Sequence, residues 1–453
     1  MRAEVEAIVG PGSVLERPVQ DLWPLGLMRR RSGEAAPPVL VARPATYEQV
    51  ATLLAWASGA NVGVVPVGGG SGVCGAVEAA AGELAIDLTG LDRVLEVNED
   101  DLTCRVQAGA VGLRVEEALN RRRLTLGHHP SSLPFSTIGG LISTRSSGQE
   151  SSRYGNIEDM LLALTVALPD GTLAALRPGP RSAIGPALHQ LYVGAEGTLG
   201  VVLEAELRLH RLPARVIGGG HRTDSVEQGL EAMREVVQSE VRPLVMRLYD
   251  PEDTAFQGLG LEGCLLVLAV AGEPDLAEAE ASVALRALSR AGAAGLGEEP
   301  WRHWRDHRLD LSAERLREFL SVPGSYLDTI EVAAPWSRLP GLYAEVKAGL
   351  TEAAGFALCH FSHAYPHGCC AYFTFAGHAD SEAAATAAYR RAWAAAMAAC
   401  PRHGATIGHH HGVGQVRRAW MQAEMGGWAG LWRAIRAGVD PAGVMNPRGV
   451  GGP

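Results

Sequence analysis

Val62-Gly-Val-Val-Pro66-Val-Gly68-Gly69-Gly70-Ser71-Gly72-Val-Cys-Gly75 is the stretch that decides the fold. Its first half is an apolar, β-branched run with the composition of a buried strand, and it leads straight into glycines. Upstream, residues 39–42 read as a strand. Thr46 is placed to cap an amphipathic helix over 47–58, with Val50, Leu53, Leu54 and Ala57 on one face. Downstream, residues 84–88 form a further strand, so the unit is β-α-β with a glycine turn at a strand's carboxyl end. Gly70-Ser-Gly72-Val-Cys-Gly75 matches the G-x-G-x-x-G of dinucleotide-binding units, and Asp87 follows near the place of a ribose-binding acid. That unit needs a full helix straight after the glycines, and residues 76–82 are too short and too weakly apolar to form one. The glycines instead make a nest of backbone N–H groups, open to phosphate oxygens with no side chain in the way.

Composition narrows the class. With 453 residues the chain can form two or three domains. A formal net charge of -10 without any basic run argues against a nucleic-acid partner. Lys347 is the only lysine, so no phosphate-loop lysine follows a glycine turn, and a pyridoxal Schiff base would be confined to Lys347. Seven cysteines, odd in number and without a C-x-x-C pair, read as reduced thiols. The first residues lack the basic, apolar, small-residue order of a signal peptide. The longest apolar stretches, 160–168 and 264–271, are too short to cross a bilayer. The expectation is a soluble, cytoplasmic protein.

Four segments follow along the chain. Residues 1–36 carry little periodicity and read as an N-terminal extension. Residues 37–213 continue the β-α-β unit into strand-like runs at 94–97, 103–108, 161–168, 173–175 and 200–209, with one helix at 111–122. Residues 214–403 alternate strands and helices and read as a second α+β domain, a mainly antiparallel sheet with helices on one side. Residues 404–453 form a C-terminal segment in which Trp420, Trp428 and Trp432 are expected to pack the last helix onto the first domain.

Two more loops share the chemistry of the first. Pro130-Ser-Ser-Leu-Pro-Phe-Ser136-Thr137-Ile-Gly139-Gly140 is followed by Ser-Thr144-Arg-Ser-Ser147-Gly148 and by Tyr154-Gly155-Asn156. Small hydroxyl and glycine residues in this density let backbone approach a flat polar ligand. Glu196-Gly197-Thr-Leu-Gly200-Val201 enters a strand. Each loop alone reads as a tight turn. Three in one span point to a large cofactor, and FAD, with its pyrophosphate, isoalloxazine and adenine, uses all of them. The numbered residues of these loops, with Pro66 and Gly68, Gly69, Gly70, Ser71 and Gly72, are the candidate cofactor contacts.

Proton chemistry is concentrated elsewhere. Gly408-His409-His410-His411-Gly412 sets three imidazoles in a row, and Ser362-His363-Ala-Tyr365-Pro-His367-Gly-Cys-Cys370 supplies a phenol, further imidazoles and thiols. Histidine titrates near neutrality, so bringing these segments together gives an acid/base centre. In an extended segment His409 and His411 would share one face while His410 points away. Adjacent ligands on alternate faces chelate poorly, so no metal site is expected.

Together Pro66-x-Gly-Gly-Gly-Ser, Ser136-Thr-Ile-Gly-Gly, Tyr154-Gly-Asn-Ile-Glu-Asp and Glu196-Gly-Thr-Leu-Gly-Val-Val resemble the FAD-binding domain of the vanillyl-alcohol oxidase and p-cresol methylhydroxylase superfamily. Within it, Gly127-His-x-Pro, Ser-Thr144-Arg-x-Ser-Gly and His-His-His-Gly-Val-Gly are similar to the alkyldihydroxyacetonephosphate synthases. The resemblance covers residues 38–450. It implies an α+β architecture: a two-subdomain FAD-binding domain of the p-cresol methylhydroxylase type, an α+β cap domain with a mainly antiparallel sheet, and a C-terminal segment returning to the FAD domain. It implies noncovalent FAD and a reaction without net redox change. An acyl dihydroxyacetone phosphate loses a proton beside its carbonyl, its carbon attaches to flavin N5, and a fatty alcohol replaces the acyl group in ether lipid synthesis. A lipid-like substrate, peripheral membrane contact and a homodimer belong to the same expectation.

By the same resemblance Tyr365 is the catalytic tyrosine, and His409, His410 and His411 are active-site histidines. Arg317, nineteen positions before Trp336, is the arginine facing the substrate phosphate or carboxylate. Arg302 and Arg308 are alternatives on the residues alone, and Cys370 matches a cysteine near the site. A base for a carbon acid needs a pKa drawn toward neutrality, so the tyrosine, ordinarily near ~10, is expected to be lowered by its neighbours. His129 and Ser131 stand where the family has acidic residues, and residues 214–320 match loosely. These departures leave open an FAD-linked oxidase or dehydrogenase of a 2-hydroxy acid such as lactate or glycolate, which shares the same loops.

Overall fold

The computed structural model describes residues 1–177, 179–309 and 313–451. The first lobe holds α1 (Arg2–Val9), β1 (Val14–Arg17), α2 (Pro24–Arg31), β2 (Val39–Ala42), α3 (Tyr47–Ala60), β3 (Val64–Val67) and β4 (Leu84–Asp87). Its sheet runs β1-β2-β4-β3, with β2, β4 and β3 parallel and β1 antiparallel at the edge. Helix α3 starts as its sequence dictates: the Thr46 hydroxyl accepts the Gln49 N–H at 3.2 Å. No helix follows the glycines; residues 68–83 are turns and irregular backbone, which removes the dinucleotide-binding alternative. Residues 1–36 are more regular than their sequence suggests. They supply α1, the edge strand β1 and α2, and the Asp21 carboxylate accepts the N–H groups of Gly75 (2.9 Å) and Ala76 (3.1 Å) at the end of the glycine loop.

The second lobe contains β5 (Val94–Asn98), β6 (Thr103–Gln107), α4 (Gly112–Asn120), β7 (Leu124–Thr125), α5 (Ile138–Ser143), α6 (Ser151–Tyr154), α7 (Ile157–Met160), β8 (Leu161–Ala167), β9 (Leu173–Ala175), β10 (Val201–Arg208) and β11 (His210–Arg211). Its main sheet is antiparallel in the order β5-β6-β10-β8-β9, and β7 pairs with β11.

The cap follows with β12 (Arg215–Thr223), α8 (Val226–Gln238), β13 (Val245–Tyr249), α9 (Pro251–Phe256), β14 (Cys264–Gly272), α10 (Pro274–Arg290), β15 (Ala294–Gly297) and α11 (Glu299–His307). It continues with α12 (Ala313–Ser321), β16 (Ser325–Pro335), α13 (Leu339–Ala354), β17 (Phe356–Tyr365), β18 (Gly368–His378) and α14 (Glu382–Arg402). The seven strands are antiparallel, in the order β15-β12-β14-β13-β17-β18-β16. Strand alternation sorts the two faces. In β14, Leu266, Leu268 and Val270 share a core with α8, α10, α13 and α14. Leu265, Val267, Ala269 and Ala271 face the second lobe and Trp301 and Trp304 of α11. The expected one-sided helix layer thus holds for four helices and fails for α11.

Helices α15 (Arg418–Met425) and α16 (Trp428–Val439) lead back to the first lobe. The Val64 N–H donates to the Val444 carbonyl and the Asn446 N–H to the Val64 carbonyl, each at 2.8 Å, which adds the C-terminal segment to the first sheet beside β3. Trp428 does not pack there as expected: it is 71% exposed, because α16 buries Ala429 and Arg436 instead. Among the described residues no helix is long and apolar enough to cross a membrane.

Candidate active site

Pro66, Gly68, Thr137, Gly139, Gly140, Thr144, Gly197, Gly200 and Val201 line a cleft of ≈ 550 Å³ between the two lobes. Glycine is required along it. A Cβ on Gly68 would stand 2.2 Å from Thr137 Oγ1, and one on Gly69 1.9 Å from the Phe135 carbonyl oxygen. Gly197, at φ 74°, packs against Pro66. A wall of bare backbone beside small hydroxyls fits the phosphates and flat rings of FAD.

Of the other expected cofactor contacts, Glu196 also lines this cleft and the rest lie outside its lining. Gly70 (φ 63°) and Gly72 continue the loop, and Ser71 Oγ meets Ser136 Oγ at 3.0 Å. The Pro130 carbonyl accepts the Leu133 N–H at 2.9 Å in its own turn. Gly148 lies against the His129 backbone, Tyr154 packs under Gly127, and Gly155 (φ 89°) ends α6. Glu196 has a second duty besides lining the cleft. Its carboxylate accepts the N–H groups of Val413 (2.7 Å) and Gly414 (3.0 Å), just past the histidines, and burial pushes it up to about 7.

Strand geometry gathers the proton chemistry. In β18, Ala371, Phe373 and Phe375 enter the helix-side core, so Cys370 and Tyr372 point the other way. On β17, His360 pairs in register with Tyr372 and stacks on it at 4.6 Å. After Ser362 the β17–β18 register shifts, and His363 takes a left-handed φ of 53°. Such a bulge re-aims a side chain, and here it turns the His363 imidazole onto Ser151 Oγ (2.7 Å) and to within 5.0 and 4.9 Å of the His409 and His410 rings.

Tyr365 Oη lies 2.8 Å from His409 Nε2 and accepts from Asn156 Nδ2 at 3.2 Å; the Ser147 hydroxyl in turn donates to Asn156 Oδ1. Ser147 and Asn156 therefore serve the phenol. His409 Nδ1 meets His410 Nδ1 at 2.9 Å. His411 leaves this group, with its Nδ1 2.9 Å from Glu331 Oε2 and its ring edge-on to Tyr372. The pair sharing one side is thus His409 and His410, not His409 and His411, because residues 409–411 are bends and not a strand. Nitrogens of His363, His409 and His410 lie within 4.8 Å of one another, a grouping the alternate-face argument against chelation did not foresee.

Burial lowers His409 to about 4 and holds His363 and His410 well below the usual imidazole range. It raises the Tyr365 phenol above its ordinary value, the reverse of the lowering expected from the sequence. Burial alone would also raise Glu331, but the Arg417 guanidinium and His411 outweigh it and hold the carboxyl well below its usual range. Arg417 joins three elements. Its Nε donates to the Ile407 carbonyl (2.8 Å), its Nη1 to the Gly412 carbonyl (2.9 Å) and Cys74 Sγ (3.1 Å), and its Nη2 pairs with Glu331.

None of the three arginines considered from the sequence reaches the cluster. Arg317 is exposed on α12, and among the described residues no hydrogen bond or ion pair joins it to the tyrosine or the histidines. Arg302 pairs with Glu298 on the surface, and Arg308 with Glu150 at 2.7 Å. Arg247 of β13 is there instead, its Nη2 2.5 Å from His360 Nε2 and its Nε buried without a partner. Its one sequence signal was alternation, since Arg247 shares the phase of Tyr249 against the core residues Met246 and Leu248.

A glycine-rich cleft between two lobes, with a half-buried phenol–imidazole cluster under an antiparallel cap, defines a flavin-dependent enzyme of the p-cresol methylhydroxylase fold type. The chain belongs to the FAD-linked oxidase family: residues 38–177 match its FAD binding domain and residues 213–450 the C-terminal domain of FAD linked oxidases. It is 31% identical over 460 residues to alkyldihydroxyacetonephosphate synthase of Dictyostelium discoideum, spanning 93% of this chain and 75% of that one. A solved alkyldihydroxyacetonephosphate synthase matches with a TM-score of 0.83 at 26% identity, over 98% of this chain and 84% of the other. A glycolate oxidase subunit of Bacillus subtilis is 26% identical, over 90% of this chain and 88% of its own.

Proposed function

We propose that the enzyme exchanges the acyl group of an acyl-dihydroxyacetone phosphate for a long-chain alcohol, the reaction class of its alkyldihydroxyacetonephosphate synthase relatives. The observation that carries this reading is the 2.8 Å contact between Tyr365 Oη and His409 Nε2 in a half-buried setting. With the phenol raised and the imidazole lowered, the resting proton stays on oxygen and is donated to Nε2. Removal of a proton beside a carbonyl then uses the pair as one base. Tyr365 Oη takes the substrate proton while its own passes to His409 Nε2, and Asn156 Nδ2–H steadies the oxygen. His410 Nδ1 receives the far side of His409, and Ser151 fixes His363 beside both. Arg247, without a carboxylate partner among the described residues, supplies the positive charge for the substrate phosphate. FAD, held along Pro66, Gly68, Thr137, Gly140 and Gly197, supplies an electron-poor ring system.

Replacing Tyr365 by Phe should lower turnover ~10²–10⁴-fold while the flavin absorbance of the purified protein stays unchanged; undiminished turnover refutes the assignment. A second reading, oxidation of a 2-hydroxy acid, is favoured by the same Arg247, since a guanidinium fits a carboxylate as well as a phosphate. Anaerobic mixing separates the two. Lactate or glycolate should leave the flavin oxidised under the first reading and reduce it under the second.

A further inference from the structure

Asp253 and His360 are buried and titratable, and the proposed reaction uses neither. We infer that they form a positioning relay, in which Asp253 fixes the tautomer of His360 and His360 holds the Arg247 guanidinium toward the anionic group of the substrate. This deepens the proposed function and rests on the anion-binding role given there to Arg247. A guanidinium has donors only, so His360 Nε2, 2.5 Å from Arg247 Nη2, accepts and carries no proton. The proton of the neutral ring therefore sits on Nδ1, where it is donated to Asp253 Oδ2 at 3.3 Å. Burial, with Arg247 beside it, pushes the imidazole down to about 4, so it stays uncharged through the neutral range.

Each member is held from behind. Asp253 stands in the first turn of α9, where its Oδ1 accepts Gln257 Nε2 at 2.8 Å and its N–H donates to Asp250 Oδ1 at 2.9 Å. The His360 ring is flanked by its cross-strand partners, Tyr372 at 4.6 Å and Tyr249 at 5.8 Å. Arg247 lies along the same strand as Tyr249, its Cζ 5.4 Å from that ring. The relay leaves the charge of Arg247 available. Arg153, Arg308 and Arg417 pair with Glu280, Glu150 and Glu331, whereas among the described residues Arg247 has no carboxylate partner. A carboxylate in direct contact would hold the guanidinium as an ion pair and compete with an incoming anion. A neutral imidazole orients the same group without cancelling its charge. The Arg247 Nε–H, buried without a partner, is a donor placed for a ligand oxygen. With Asp253 on the far side of the ring, its carboxylate acts on the tautomer and not on the arginine.

Calorimetric titration of the flavin-loaded full chain with dihydroxyacetone phosphate, and separately with glycolate, tests this without turnover. On the anion that binds, His360→Leu and Asp253→Leu should each weaken affinity about tenfold. His360→Gln, whose amide oxygen can accept from Arg247, should stay within about threefold of the unsubstituted protein. Arg247→Met should weaken binding at least as much as either leucine variant. Adding His360→Leu or Asp253→Leu to it should weaken binding no further, since both act through the guanidinium. Flavin absorbance and thermal unfolding check that the variants are folded. Unchanged affinity in His360→Leu, equal losses in His360→Gln and His360→Leu, or losses that persist in the Arg247→Met background overturn the inference. Loss on Arg247→Met with none on His360→Leu overturns the relay alone. Binding of neither anion, or unaltered affinity in Arg247→Met, removes the anion role of Arg247 and the relay with it. Because binding is read without turnover, failure of acyl exchange leaves the relay standing.

Discussion

Tyr365 and His409 are each moved by burial away from their behaviour in water, in opposite directions. The imidazole is lowered to about 4, so the Tyr365–His409 pair keeps a free acceptor nitrogen through the whole neutral range. Protonation of His409 removes that acceptor. Activity should therefore be lost as pH falls through about 4, not at the ~6.5 of a free imidazole. The pH dependence of kcat/KM measures this, and an acid limb near neutrality would show that His409 is not the acceptor. Glu331 governs the next shell of the site, since it holds both His411 and Arg417. Glu331→Gln leaves a fully buried guanidinium without its counter-charge and should cost about 3–5 kcal/mol in urea unfolding. Adding Arg417→Met should recover part of that loss, because the two changes are coupled.

Strand β17 shows how an element aims a residue. Its alternation sends Cys359 and Phe361 into the helix-side core, and the shift after Ser362 then reorients His363. Asparagine tolerates the left-handed conformation and valine does not. His363→Asn should keep the fold and lose activity, whereas His363→Val should lose activity and unfold with an additional ~1–2 kcal/mol of destabilisation. Equal stability of the two variants would contradict a role for the left-handed backbone. The same scale explains what was legible beforehand. Helix α3, its Thr46 cap and the strands of both lobes follow from local preferences that act wherever those residues lie. Trp428 was misplaced because an aromatic residue at a helix start carries no mark of which side the core occupies. The histidine triplet was misread because flanking glycines allowed bends where an extended segment was assumed.

At the scale of the whole molecule, His129 connects lobe and cap. Its Nε2 is 3.3 Å from Glu116 and its Nδ1 3.0 Å from Glu150, which also pairs with Arg308 after α11. Burial disfavours its charge, yet Glu150 and Glu116 raise it to about 9. A folded pKa above the ordinary ~6.5 adds stability that is complete below that value and is lost as pH rises through about 9. The thermal midpoint should fall across that window, and Glu116→Gln should flatten the fall; an unchanged slope would remove His129 from the linkage. By itself the sequence determined the glycine cradle, the caps and the strand-rich lobes, and it offered Tyr365 and the histidines as the candidate reactive groups. Each of these rests on backbone preference or on side-chain chemistry that neighbours along the chain cannot alter. Only the tertiary structure decided that Arg247 and not Arg317 stands at the cluster, that Glu331 and Arg417 hold the histidine loop, and that Glu196 clamps Gly414. A charged residue within a strand looks the same in sequence whether it faces water or a buried site, and the direction of a pKa shift depends on desolvation by elements far away in the chain.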